Sequence, residues 1–232
     1  MNRFWEVDAL RGVAVVSMVA FNWLFALGFL GVVAFDASQG LNRLWALATV
    51  AAFVAIAGLS LHLAKLQGKD GVARGMKIFL LGLAVTVVTY LFIPESFVSF
   101  GVLHLIGFSI ILASLLAAGL PAASLFFLSL AIIVLGFVSA GAVVETPWLF
   151  WLGFPPQGFQ SVDYEPLIPW FGVFLFGLAL GKVFYPKIRR ASPAPLLAKP
   201  LCFLGRHSLA IYLVHQPLLV AALCFSGAAC II

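Results

Sequence analysis

Arg11, Asn22, His104 and His215 stand inside long apolar stretches of this sequence. In hydrocarbon a polar or ionisable group is costly unless it is paired or lines a cavity, so these positions are where chemistry is sought first. Histidine, with an ordinary pKa of about 6.5, gives or takes a proton near neutrality. An asparagine amide donates a hydrogen bond to developing negative charge. The expected reaction centre therefore has His104 or His215 as base and Asn22 as donor to an oxyanion. The competing use of the same residues is a neutral histidine hydrogen-bonded between helices.

Helical spacing groups these residues. Arg11, Val15, Met18 and Asn22 follow i, i+4, i+7, i+11 and share one stripe, which places Asn22 about 16 Å beyond Arg11 at 1.5 Å per residue. Ser208, Tyr212 and His215 share a second stripe. Counted along a helix beginning at Leu201, His215 is some 21 Å across the membrane, while His104 lies about 7 Å below the opposite surface. Asn22, His104 and His215 then occupy similar depths on three helices. His62, in LHLAKL, reads as an interfacial residue. His207 lies beside Arg206 at a basic boundary, where it could meet a phosphate. Asp8 and Arg11 form either an ordinary first-turn pair satisfying the helix dipole or part of a site.

The elements that must position these groups follow from composition. Of 232 residues 64% are apolar, and only 13 are basic and 8 acidic. A soluble domain needs about a quarter of its residues charged, so an all-α, polytopic transmembrane bundle is expected and nucleic-acid binding is excluded. Apolar runs of about 20 residues fall near 10–33, 44–64, 77–93, 99–117, 122–142, 166–184 and 201–223, which predicts seven spans in one integral-membrane domain over 1–232. Glu6 and Asp8 in the amino-terminal flank, with no small-residue cleavage site after the first run, argue against a signal peptide.

Sorting the cations by side orients the bundle. Segments on the side of the amino terminus hold 12 of the 13 basic residues, among them Arg3, Arg11, Lys65, Arg74, Lys77, Lys182, Arg189, Arg190 and Arg206, and only Arg43 lies opposite. The amino terminus is expected in the cytoplasm and the carboxyl terminus outside, in a prokaryotic plasma membrane. The basic face is explained by topology alone or by a polyanionic cytosolic ligand. Val143–Glu165, rich in aromatics and interrupted by Pro147, Pro155 and Pro156, reads as an interfacial flap, either belt or lid. Cys202, Cys224 and Cys230 lack metal or redox spacing, and Cys224 and Cys230 could pair only in an oxidising compartment. Gly177 and Gly181 permit close helix contact within the chain or between copies, which leaves a homodimer open.

Three stretches carry a resemblance. RFWEVDALRGVAVVSMVAFN, from Arg3 to Asn22, FGVLHLIGFS around His104, and LGRHSLAIYLVHQPLL from Leu204 to Leu219 together resemble the heparan-α-glucosaminide N-acetyltransferase catalytic family, and more distantly the broader membrane acyltransferase superfamily. The first matches an Asp-x-x-Arg-Gly-x-Ala signature at Asp8, Arg11, Gly12 and Ala14. The resemblance implies transfer of an acyl group, usually acetyl, from cytosolic acyl-CoA to an amine or hydroxyl on the far side of the membrane, with an amino sugar among the acceptors. Asp8, Arg11, Arg74, Lys77, Arg206 and His207 are then the expected set holding the acetyl-CoA phosphates. No metal is expected. The relatives' further histidine soon after Asn22 is missing, since no histidine occurs between Asn22 and His62. Two other readings use the same residues: a transporter or channel with a proton or solute path, and a membrane scaffold without catalysis.

Overall fold

A computed structural model describes residues 4–29, 31–142, 144–187 and 192–225. Arg3, Val143, Arg189, Arg190, Cys230 and the side chain of Cys224 lie outside that set, and with them any pairing of Cys224 and Cys230. The described chain is all-helical: α1 Trp5–Phe29, α2 Gly40–Leu66, α3 Gly71–Phe92, α4 Val102–Leu112, α5 Ala122–Val138, α6 Leu167–Phe184, α7 Lys199–Arg206 and α8 Ser208–Phe225. Helices α1, α2, α3 and α6 are long and apolar enough to cross a membrane, and α4, α5 and α8 are shorter apolar helices. This is an integral membrane protein.

One expectation fails at the last helix. The run 201–223 is not a single span but breaks at His207, whose φ of −103° and ψ of 12° end α7. The Phe203 carbonyl accepts both the His207 backbone N–H at 3.3 Å and its ring N–H at 2.9 Å, so the side chain folds back over the last turn. A new helix starts at once, with the Ile211 N–H donating to the His207 carbonyl. Depth is therefore counted from Ser208, and His215 lies only about 10 Å along α8.

The chain divides into two compact units, the first made of residues 1–53 and 189–232 and the second of residues 54–188, with α2 passing from one to the other. In the first, α1 packs along α7 and α8. Val15 and Met18, on the stripe that carries Asn22, are buried. Backbone meets backbone where α1 crosses α7: a Cβ on Gly12 would overlap the Leu201 carbonyl, and one on Gly205 the Asp8 carbonyl. Only glycine fits there. Cys202, buried beside that crossing, directs its thiol to the Trp5 carbonyl at 3.3 Å. The first half of α2 is tied to α1 by polar bonds: Trp45 Nε1–H donates to Ser17 Oγ at 2.7 Å, and Ser17 and Thr49 hydroxyls meet at 2.7 Å. Thr49 spends its own proton on the Trp45 carbonyl, so Ser17 is the donor to Thr49.

The second unit pairs α3 with α4 and α5 with α6, around fully buried Leu61, Leu105, Ile110, Leu125, Phe174 and Leu175. The small pair on α6 is used within the chain: Gly177 lies against the Ala55 backbone and Gly181 against Leu59 and His62. It therefore gives no support to a homodimer.

The flap is strapped rather than loose. Its far arm runs beside residues 96–100, with Val162 N–H to the Ser96 carbonyl and Glu165 N–H to the Phe100 carbonyl, both 2.9 Å. Its near arm is a 3₁₀ turn over Pro147–Leu152, joined to the far arm where the Tyr164 hydroxyl donates to the Phe150 carbonyl at 2.6 Å. Burial pushes the Tyr164 pKa up to about 12, so this donor keeps its proton throughout the physiological range. Tyr164→Phe should loosen the near arm by about 1 kcal/mol, seen as roughly fivefold faster amide exchange over residues 147–153.

Candidate functional site

Two polar centres form in the first unit, at different heights of α1. The deeper one joins Asn22 to His215. The side chains meet at 3.0 Å between Asn22 Nδ2 and His215 Nε2. The other ring nitrogen, Nδ1, faces the carbonyls of Tyr212 at 2.7 Å and Ile211 at 3.2 Å. Carbonyls only accept, so Nδ1 carries the proton and Nε2 holds the lone pair, toward which the Asn22 amide donates. His215 is thus oriented by the backbone of its own helix. Pro217, two residues further on, has no N–H to give the Leu213 carbonyl. His215 is 7% exposed, in keeping with a buried imidazole whose polar atoms are met.

The second centre lies at the basic end. Asp8 is nearly buried and its two carboxylate oxygens are shared, Oδ1 with Arg11 Nη1 at 2.9 Å and Oδ2 with Arg206 Nε at 3.4 Å. Arg11 also reaches the Gly205 carbonyl at 3.4 Å. One carboxylate between two guanidiniums leaves the cluster with a net single positive charge. The Arg206 side chain is 46% exposed. The contact that lets Asp8 meet Arg206 is the glycine crossing of α1 and α7. His207, next in sequence, is exposed, and its ring lies 4.4 Å from that of Phe203.

His104 lies in the second unit, 2% exposed, on the third residue of α4. Its Nδ1 accepts from the Gly101 N–H at 3.3 Å, which caps the helix start. Its Nε2 lies 3.3 Å from the Thr86 hydroxyl. Thr86 donates its own proton to the Val98 carbonyl at 2.7 Å, so Nε2–H is the donor to Thr86. Phe79 meets the ring edge-on at 5.4 Å and Phe100 stacks on it at 5.6 Å. Asp163, from the strapped arm of the flap, accepts the Val102 N–H at 3.2 Å, two residues before His104. Both ring nitrogens of His104 therefore serve local structure.

The other expected residues are scattered. Arg74 reaches the Ser60 carbonyl at 3.5 Å in the second unit, and Lys77 is exposed on the same helix. His62 bonds the Tyr185 carbonyl through Nε2 at 2.9 Å, a donor role within the fold. Lys182 gives two bonds to the carbonyls of Ala118 and Leu120, at 2.9 and 2.6 Å, past the end of α4.

The sequence profile of the catalytic family of heparan-α-glucosaminide N-acetyltransferase matches residues 3–217. The chain belongs to this family. Membership makes it a transferase of the acetyltransferase class. The match runs from the Asp8 motif to Pro217, just beyond His215, and so takes in both centres of the first unit and the His104 knot. No curated protein and no solved structure matches the chain. In this acetyltransferase-family chain Ser17, Trp45, Thr49, Thr86 and Asp163 support the motif residues without any signal of their own. Each is a common residue in an apolar or loop context, and its partner lies on another element.

Proposed function

We propose that this protein moves an acetyl group from cytosolic acetyl-CoA to an amine or hydroxyl of an acceptor on the far side of the membrane. An amino sugar is the acceptor that the family name favours. The single observation that carries this reading is the Asn22–His215 pair, with a lone pair on Nε2 fixed in place by carbonyls of α8. The chain would cross seven times from a cytoplasmic amino terminus, with α7 along the inner surface rather than across the bilayer.

Coenzyme A has phosphates at one end and its thioester at the other end of a thin arm. Arg11 and Arg206 would hold phosphates through charge-assisted bonds, with His207 beside them. Asp8, a carboxylate, would not meet the phosphates but would hold both guanidiniums in place. The arm would follow the stripe of α1 for the roughly 16 Å that separates Arg11 from Asn22. At its end the acceptor's N–H or O–H gives its proton to His215 Nε2 as the acceptor atom bonds to the thioester carbon. The Asn22 amide donates to the carbonyl oxygen as it becomes an oxyanion. Collapse breaks the C–S bond, and the thiolate leaves with the proton returned from Nε2. We assign the base to His215 over His104 because the lone pair of His104 is held by the backbone N–H of Gly101 at a helix start, whereas that of His215 meets the Asn22 side-chain amide, which can turn to the oxyanion.

Calorimetry of acetyl-CoA on the purified, detergent-solubilised protein tests the donor. Saturable binding is expected, weakened about ten- to a hundredfold in Arg206→Ala, the loss expected for one or two charge-assisted bonds. No binding at millimolar acetyl-CoA would remove the enzyme reading and leave the transporter and the scaffold.

A further inference from the structure

Breaking the last apolar run at His207 creates an element too short to span the membrane. Helix α7 has eight residues, about 12 Å, far short of a bilayer core. One side, Cys202 and Gly205, is pressed on α1, while Lys199 and Phe203, at i, i+4, share the side turned away. Phe203 is 61% exposed there, and the 3₁₀ turn that leads into α7 presents Leu196 and Leu197, 78% and 94% exposed. Lys199 is exposed among them. Upstream the chain is basic, so that Lys182, Lys187, Arg189, Arg190 and Lys199 are five cations within 18 residues.

A soluble polyanion would account for the cations but not for three large apolar side chains beside them. A hydrocarbon setting would account for the apolar groups but not for Lys199. The surface of an anionic leaflet accounts for both, because apolar side chains enter the acyl boundary while lysines meet lipid phosphates. We propose that Leu196–Arg206 is a docking surface for anionic phospholipid headgroups, lying in the plane of the membrane with Leu196, Leu197 and Phe203 inserted and Lys199 on phosphate. The proposal stands independently of acyl transfer. It does bear on that site, because the same helix carries Arg206 to Asp8.

The test uses the full chain with its three cysteines replaced by alanine and Leu197→Cys carrying an environment-sensitive fluorophore, in nanodiscs of phosphatidylcholine alone or mixed with phosphatidylglycerol. The expected result is blue-shifted emission quenched by spin-labelled lipid in the mixed discs, a smaller effect in the neutral ones, and reversion toward the neutral value on adding Lys199→Gln. Phe203→Cys provides a second reading site should the first variant fail to fold. An aqueous, iodide-quenched signal in mixed discs would overturn the proposal. Equal signals in both lipids would overturn its anionic element, as would coverage of the probe by a second copy seen in gel filtration.

Discussion

His215→Ala should lower the turnover of acetyl transfer by about 10²–10⁴-fold while acetyl-CoA affinity changes little. The size follows from what general-base catalysis contributes. The separation of effects follows from geometry, since the groups proposed to hold the donor lie toward the other end of α1 from Asn22 and its partner. Asn22→Ala should cost about 10²–10³-fold, the effect of losing one oxyanion donor. Steady-state kinetics together with calorimetry on the purified variants would check both. The assignment of base to His215 fails if His215→Ala retains full turnover. His104→Ala gives the contrast: it removes a helix cap and the centre of an aromatic cluster, so its loss should show first in thermal stability.

Asp8→Ala is expected to be strongly damaging to the first unit. It leaves Arg11 largely buried with its main counter-charge gone and Arg206 with no carboxylate to meet. Removing one partner of a buried ion pair costs about 3–5 kcal/mol. Because Arg206 is half exposed and can turn to water, the lower end, about 3 kcal/mol, applies, or roughly 6–12 °C in the melting midpoint of a chain this size. Asp8→Asn keeps an acceptor and should lose less. The accompanying signature is a loss of donor affinity in both variants, because both guanidiniums lose the group that orients them. A variant that melts early yet binds acetyl-CoA as tightly as the native chain would show that Asp8 serves stability alone.

The Asp8 centre depends on a single feature, the close crossing of α1 and α7. Gly12 and Gly205 belong to the first and third motifs, and their missing side chains are what allow the Asp8 carboxylate to bridge Arg11 and Arg206. Glycine in both signatures thus has a mechanical purpose: it brings a cation from one end of the chain to a carboxylate at the other.

The sequence by itself determined that the protein lies in a membrane, where its helices run to within about six residues except at the last run, and which polar groups were worth attention. Apolar runs and the 3.6-residue period are local properties, and the cost of polarity in hydrocarbon makes each exception visible. It also carried the family, through three short motifs in order. Only the tertiary structure decided which of those groups meet. Asn22 and His215 are separated by 193 positions, and Asp8 and Arg206 by 198, so no local rule connects them. The same holds for the two histidines, alike in sequence as solitary polar residues on apolar helices. One has its lone pair tied to a backbone N–H at a helix start, and the other has its proton tied to backbone carbonyls with the lone pair turned toward an amide. That difference depends on which nitrogen faces which backbone group, and it arises only when the helices pack.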